Sequence, residues 1–480
     1  MHRAIPRRGV ILLAITALAA LIAAPAGAGT ARIASDRYIV VFAGDQRASS
    51  FDFQRTRQSA VAAVRATGGA LLRDFSREIG VALVRSQSPT FASDLEATGL
   101  VRAVGSDFSW LGLRGAAPPT VSDPAEIRQW DMRMIGAYRA HRVEKGRRAT
   151  DVGILDSGVD GSHPDFVVGG RGANVNCARS RNFVEFVADG GPGVGNPDPC
   201  VDNQFHGTHV AGTVAAQQNG VGVVGVAPNV ELVSVKVCDA SGYCYAGGVV
   251  NGITYAGRQK LDVINMSFYV DDDEFQQSTE FKCSSDPVQR AFRMAVYRAI
   301  ACARGRGVTP IAALGNSDQN LRNPDGVGRG CKVVPAETKG VIGVATRGAK
   351  SEKARYSNWG YGPTDVTAPG GNGTTGDCTT TILSTLPGAA YGCIQGTSMA
   401  SPHAAGVAAL IVSRYGTRGS GGDMRISPDR VERILEATTI DIGARGYDKC
   451  FGEGRINAAR AVASSRAYVY RNVPACGEPN

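Results

Sequence analysis

Gly396-Thr397-Ser398-Met399-Ala400-Ser401-Pro402-His403 runs without a break into Ala404-Ala405-Gly406-Val407-Ala408-Ala409-Leu410-Ile411-Val412. The second half is small or apolar throughout, too long for an ordinary strand and rich in Ala. It predicts a helix buried on all sides. Such a helix has little reason to begin with hydroxyls unless its start faces a cavity. A helix start carries unpaired backbone N–H groups and the positive end of the helix dipole, which suit an oxygen gaining negative charge. Ser398 stands where a nucleophile would be useful. Taken alone, Thr397 or Ser398 can equally be the N-cap of a core helix.

Upstream of this stretch, from about residue 124, short β-branched runs alternate with helical ones. Asp151 to Leu155, Glu231 to Val237, Leu261 to Met266, Val308 to Leu314 and Val341 to Ala345 read as buried parallel strands. Helices are expected at His206 to Gln217, Gly247 to Gly257, Pro287 to Arg304, Ser398 to Arg414 and Pro428 to Ala437. The fold class is therefore α/β, a doubly wound, mostly parallel sheet whose sites gather at the carboxyl ends of the strands. Further upstream the order changes. Strands at Arg37 to Ala43, Ala70 to Phe75, Ile79 to Arg85 and Val101 to Phe108 enclose helices at Phe51 to Thr67 and Thr90 to Thr98. That β-α-β-β-α-β order predicts a small α+β, ferredoxin-like unit. Leu113-Arg114-Gly115-Ala116-Ala117-Pro118-Pro119 follows as an exposed linker and cleavage zone.

At 480 residues, two folded units or one large unit with an extension are expected. Residues 1–28 read as a secretion signal. Arg3, Arg7 and Arg8 precede the apolar run Val10 to Ala24, and Ala26-Gly27-Ala28 supplies small residues for cleavage. No later apolar run is long enough to cross a membrane, so the expectation is a secreted, extracellular protein that meets no membrane after signal removal. The net charge of +9 comes from scattered Arg and Lys without a basic block, which argues against nucleic-acid binding. All eleven cysteines lie after residue 176, fitting an oxidising compartment, and no CxxC pair suggests zinc. Neighbouring cysteines would close short loops: Cys177 with Cys200, Cys238 with Cys244, Cys378 with Cys393, and Cys450 with Cys476. Cys302 lies inside the helical run Ala291 to Ala303 and packs more readily as a buried thiol. That leaves Cys283 with Cys331.

Three segments place reactive groups at strand ends or helix starts. Strand Val152-Gly153-Ile154-Leu155 ends in Asp156-Ser157-Gly158. His206 opens the helix in Phe205-His206-Gly207-Thr208-His209-Val210-Ala211-Gly212. Ser398 is the third. Each alone can be structural, but jointly they match a serine nucleophile, a histidine base and an aspartate that orients the imidazole. His163, His209 and His403 read as structural. Gly220-Val221-Gly222-Val223-Val224-Gly225 matches a dinucleotide fingerprint only formally, because Pro228 follows where a helix should begin. Gly396-Thr397-Ser398-Met399-Ala400 lacks the Gly-x-Ser-x-Gly pattern of an esterase elbow.

Asp156-Ser157-Gly158-Val159-Asp160, His206-Gly207-Thr208-His209-Val210-Ala211-Gly212 and Gly396-Thr397-Ser398-Met399-Ala400-Ser401-Pro402 resemble the three signature segments of the subtilisin-like serine proteases, in that family's order. The resemblance covers roughly residues 124 to 465. It implies a serine endopeptidase acting on polypeptides through an acyl-enzyme, with Asp156 orienting, His206 as base, Ser398 as nucleophile and Asn316 in the oxyanion hole. It also implies a division into a signal (1–28), an inhibitor-like propeptide (29–115) and a catalytic domain (116–480). The propeptide would act as intramolecular inhibitor and chaperone until removed autocatalytically, leaving a monomer. Substrate would bind between Ser241-Gly242 and Ser267-Phe268-Tyr269. Tyr269 stands where relatives commonly have glycine, so the pocket for the residue before the scissile bond is expected to be re-shaped and to favour apolar side chains. A structural calcium ion is implied, held by Glu126, Asp165, Gln217, Asn219, Val221 and Val223, whose mixed oxygen donors suit that ion. The contrasting function class is a catalytically silent relative kept as a binding module. Silent relatives usually lose a triad or oxyanion residue, and this chain keeps all four.

Overall fold

The computed structural model describes residues 32–44, 51–111, 113, 118, 129–167, 172–184, 195–269, 286–322, 332–419, 424–463 and 469–471. The expected signal, Glu126, Cys283, Cys331, Cys476 and most of the linker lie outside the described residues.

The N-terminal unit comprises β1 (Arg32–Phe42), α1 (Phe51–Ala66), β2 (Ala70–Phe75), β3 (Val81–Arg85), α2 (Phe91–Ala97) and β4 (Val101–Leu111). Its strands lie in the order β2-β3-β1-β4, every pair antiparallel. Alternation decides the two faces. Val40, Phe42, Val84 and Val104 point toward Val64, Phe91 and Leu95 of the helices, closing one small core. Ile39, Val41, Leu83 and Ala103 point the other way and join the core of the following domain.

That domain begins with α3 (Trp130–Met134) and α4 (Ala137–Ala140), then β5 (Asp151–Asp156), α5 (Pro164–Val167), β6 (Arg181–Asn182), α6 (His206–Ala215), β7 (Glu231–Lys236) and β8 (Tyr243–Tyr245). It continues through α7 (Ala246–Gln259), β9 (Val263–Met266), α8 (Pro287–Gly305), β10 (Thr309–Ala313), β11 (Ile342–Arg347) and β12 (Val366–Pro369). Hairpin β13 (Ile382–Leu386) and β14 (Ala390–Ile394) leads into α9 (Thr397–Tyr415). The C-terminal part holds β15 (Thr417–Arg418), β16 (Met424–Arg425), α10 (Pro428–Ala437), β17 (Asp441–Ile442), α11 (Ala458–Ala463) and β18 (Tyr470–Arg471).

Seven strands form the main sheet in the order β12-β11-β10-β9-β5-β7-β6, and every pair is parallel. Val152, Ile154, Val263, Ile311, Ile342 and Val344 are fully buried, as strands covered on both faces must be. The chain leaves β5 toward β7 and later returns on the opposite side as β9. The switch point therefore falls between β5 and β9, and the crevice above their carboxyl ends is where a doubly wound sheet builds its site.

Helix α9 packs on the sheet beside α6, α10 and α11. From Thr397 to Ser413 only Ser398 escapes full burial. Pro402 within it has no N–H to offer the Ser398 carbonyl four residues earlier. That carbonyl instead accepts the Ser267 hydroxyl at 2.8 Å, so the sheet supplies the bond that proline withholds.

Candidate active site

Strand β5 ends at Asp156, which is fully buried. Helix α6 brings His206 against it. The imidazole Nδ1 lies 2.9 and 3.0 Å from the two carboxylate oxygens, so it donates to both and Nε2 is left as the acceptor. This close approach depends on Gly207: a Cβ there would sit 2.0 Å from the Gly158 carbonyl oxygen. Phe205, just before His206, is held at φ 90°, a region that disfavours a bulky residue.

Asp202 holds that turn in place. Its Oδ1 accepts from the Ser157 hydroxyl at 2.9 Å and from the Gln204 and Phe205 amides at 3.0 Å. Its Oδ2 accepts the Thr208 amide at 2.9 Å and the Thr208 hydroxyl at 2.7 Å. Burial pushes its carboxyl above the usual range, and those bonds work against the shift. Ser157 in turn accepts the Gly207 amide at 3.0 Å, while its own amide donates to Asp156 at 2.8 Å. Asp202 and Ser157 thus join the two segments that carry Asp156 and His206. Sequence reading gave neither a role. The available signal was a carboxylate four residues before His206 with a threonine two residues after it.

The Ser398 hydroxyl donates to the Ser267 carbonyl at 3.0 Å, and no hydrogen bond joins it to His206. Asn265 binds the Ser267 hydroxyl at 2.8 Å through Nδ2 and accepts the Ser401 hydroxyl at 2.6 Å. The end of β9 and the first turns of α9 are therefore tied into one unit. Asn316 follows β10. Its Oδ1 accepts the Thr397 amide at 2.9 Å and the Thr397 hydroxyl at 2.8 Å, which leaves Nδ2 as the end of the amide without a hydrogen-bond partner among the described residues. Gly315 before it sits at φ 101°, and Asn358 clamps the loop by accepting the Ser317 and Gln319 amides at 3.0 Å.

The chain next to the expected Ser241-Gly242 segment is paired with the N-terminal unit. Antiparallel pairing of β4 with β8 runs Ser109 to Tyr245, Trp110 to Cys244 and Leu111 to Tyr243. Gly242 joins only through its carbonyl, which accepts the Leu113 amide at 3.1 Å. The Ser241 amide is instead held by Asp239 at 2.9 Å. An aspartate folding the chain back at 239 shortens the edge, a tertiary detail that residue types do not announce. Ser267 is buried with its hydroxyl engaged, and Phe268 and Tyr269 pack in the same apolar cluster as Leu113.

Disulfides join Cys177 to Cys200, Cys238 to Cys244 and Cys378 to Cys393; Cys450 is also disulfide-bonded and Cys302 is a free thiol. The second of these bonds pins β8 to the chain leaving β7. His209 is fully buried, pushed down to about 3 by burial and then by His206, and its Nε2 donates to the Ile382 and Gly392 carbonyls. His163 gives Nε2–H to the Ala390 carbonyl at 3.0 Å, and His403 lies between the Met399 carbonyl and buried Asp131. All three are packing groups in this geometry.

Asp165 and the loop after α6 come together, as the implied calcium site requires. Asp165 accepts the Val223 amide at 2.9 Å and the Tyr391 hydroxyl at 3.0 Å, yet forms no ion pair among the described residues. Burial therefore lifts its pKa to about 6. Asn219 accepts the Val221 amide, and Gln217 gives Nε2 to the Phe166 and Gly172 carbonyls. The donors are hard oxygens around one uncompensated carboxylate, which fits a calcium ion. Among the described residues no cluster of three or more His, Cys, Asp or Glu gathers anywhere, so such an ion would rest mainly on carbonyl and amide oxygens.

Residues 147–454 match the model of the subtilase family. The chain is similar to subtilisin DY of Bacillus licheniformis, 35% identical over 312 residues, covering 65% of this chain and 90% of that protein. It is likewise similar to subtilisin E of Bacillus subtilis (strain 168), 34% identical over 311 residues. That match spans 65% of each chain, a little under two thirds of the relative's length. Among solved structures, the epidermin leader peptide processing serine protease of Staphylococcus aureus superimposes with a TM-score of 0.67 at 22% identity. The match covers 89% of this chain and 98% of that one, and is a likeness of fold.

Proposed function

Because the chain belongs to the subtilase family, we propose that it is a secreted serine endopeptidase that cleaves polypeptides through Asp156, His206 and Ser398. The observation that carries this reading is the buried Asp156 carboxylate gripping His206 Nδ1 at 2.9 Å, with Nε2 in no hydrogen bond among the described residues. Asp156 fixes the tautomer and stabilises the imidazolium that forms.

For reaction, the Ser398 hydroxyl turns from the Ser267 carbonyl toward His206 Nε2. That nitrogen takes the proton as Oγ bonds to the substrate carbonyl carbon. The oxyanion so formed receives the Ser398 amide, an unpaired N–H of the helix start, and the unpartnered Asn316 Nδ2. His206 then protonates the leaving amine, and a water molecule, deprotonated by the same nitrogen, releases the acyl group.

The N-terminal unit fits an intramolecular inhibitor. Its last strand lies along Tyr243–Tyr245 as a peptide substrate adding a strand would. Asp107 accepts the Gly247 amide at 2.8 Å, satisfying an N–H in the first turn of α7. Arg298 of α8 donates to the Gly80 carbonyl at 2.8 Å, and Glu78 pairs with Arg258 of α7 at 2.9 Å. These contacts support residues 29–115 as the propeptide and 116–480 as the catalytic part, with 1–28 removed at export. Calcium held at Asp165, Asn219 and the neighbouring carbonyls would anchor the loop after α6 and takes no part in the chemistry.

The direct test is labelling of secreted protein by a serine-directed fluorophosphonate, with hydrolysis of casein in parallel. Labelling lost in Ser398→Ala and in His206→Ala is expected. A wild-type protein that neither labels nor hydrolyses would make this chain a binding module instead.

A further inference from the structure

Away from the cleft, a cavity of about 560 Å³ lies between α4, α11 and β18. Its lining includes Arg133, Arg139, Arg455, Arg460 and Arg471, and no carboxylate among the described residues. The catalytic reading uses none of these side chains. Arg139, Arg455 and Arg471 make neither an ion pair nor a side-chain hydrogen bond among the described residues. Arg460 donates Nε to the Thr438 carbonyl at 2.9 Å. Arg455 is 5% exposed, and its Nε is buried without a partner.

A second observation points the same way. Arg347, at the end of β11, is fully buried, and none of its three guanidinium nitrogens has a hydrogen-bond partner among the described residues. Burial and then the Arg455 charge push its pKa down, Arg471 adds to this, and only Glu352 opposes them. Glu352 is not within ion-pair reach and has one buried oxygen unpartnered itself. Like charges crowded at low dielectric repel, and an unpaired buried charge is costly. A site of this kind is relieved by an anion rather than by more protein.

We infer that the cavity binds a multiply charged tetrahedral oxyanion, a phosphate or sulfate group, seated among the Arg139, Arg455 and Arg471 guanidinium groups. Guanidinium forks match such oxygens bidentately, which carboxylate-free lining leaves uncontested. Binding to the native state alone raises stability by mass action, saturably. Excluded salts also stabilise proteins, but without saturation and without regard to these arginines.

The test is thermal unfolding of full-length Ser398→Ala protein titrated separately with sodium phosphate and sodium sulfate, ionic strength being held constant with chloride. A saturating rise in melting temperature with either anion is expected, and whichever saturates lower names the group. The Arg139→Gln/Arg471→Gln double variant should bind about a hundredfold more weakly or not at all, since each lost charge-assisted pair is worth roughly a factor of ten. In chloride it should melt no lower than the parent, because repulsion has been removed. Arg139→Gln alone, on a four-residue helix, gives the same comparison should the double variant fold poorly. A rise that never saturates, or one the variants share, would overturn the site.

Discussion

Asp202 receives five hydrogen bonds, from Ser157, Gln204, Phe205 and twice from Thr208. All of them hold the turn that presents His206. Replacing it by Ala strands those donors, at about 1–3 kcal/mol for each buried group left unpaired. It also releases the strained φ of Phe205. Asp202→Ala is expected to lose at least tenfold in kcat with KM little changed. Asp202→Asn, which keeps one acceptor oxygen, should recover part of that loss. A variant that merely melts earlier, with kcat intact, would show Asp202 to be structural only. Asn316→Ala removes one of the two oxyanion donors and should cost about 10²–10³ in kcat, measured on a small ester and on a peptide. Asp165 gives a pH test. Its native pKa near 6 exceeds the ordinary 3.8, so the folded state holds the proton more tightly than the unfolded one. The resulting stabilisation is full below about 3.8 and lost as pH rises through 6, where the carboxylate becomes a buried, unpaired anion. Calcium supplies the missing counter-charge. Its effect on melting temperature should therefore be large at pH 7.5 and small at pH 5. An equal shift at both would remove Asp165 from the site.

Strand β8 is short, yet it pairs with β4 where, in the proposed reading, an extended substrate would add a strand. The Cys238–Cys244 bond holds it against the chain leaving β7. Opening that bond by a double Cys→Ser change should raise KM for extended peptides several-fold and leave small ester substrates nearly unaffected, because only the former add a strand here. Equal effects on both would mean that the bond shapes the catalytic groups instead. The elements themselves were largely legible. Buried strands such as Val152-Gly153-Ile154-Leu155 carry their own pattern, and the Ala-rich helix around Ser398 could only be a core helix with one polar turn. The three signature segments named the positions of Asp156, His206 and Ser398 because each sits at a strand end or helix start, where local sequence fixes geometry. What stayed hidden depends on distant partners. Asp202 meets Ser157 across a loop, Asn358 clamps residues 41 and 39 positions earlier, and Asp239 folds the turn before Tyr243. The Arg347 and Arg455 charges are likewise spread over β11 and the C-terminal segments, so no window of sequence reveals them together.

At the scale of the whole molecule, two folded units share one apolar core. Ile39, Val41, Leu83 and Phe108 of the first lie with Val249, Phe292 and Val296 of the second, and the Phe108 and Phe292 rings meet edge to face at 5.4 Å. An interface so apolar, bolted by Arg298 and Asp107, is not that of a loosely tethered domain. Separation therefore requires the covalent link to be cut before the first unit can leave and stay away. Beyond the strand that pairs with β8, the Leu113 amide donates to the Gly242 carbonyl at 3.1 Å, as a bound peptide would in the proposed reading. In the proposed mechanism Ser398 supplies the nucleophile for that cut. Removing a nucleophile of this kind costs about 10⁶ in turnover, enough to turn prompt processing into none. Ser398→Ala should consequently accumulate as a signal-cleaved precursor beginning near Gly29, folded and resistant to dilute protease. Wild type should yield a mature chain beginning between Leu111 and Ala125. Immunoblot and intact mass of both proteins, expressed in a host without secreted proteases, read the outcome directly. Trimming of Ser398→Ala at the same bond and rate would assign the cut to another enzyme. A wild type that also stays full length would leave the first unit a permanent partner of β8, and the cleft a closed binding surface.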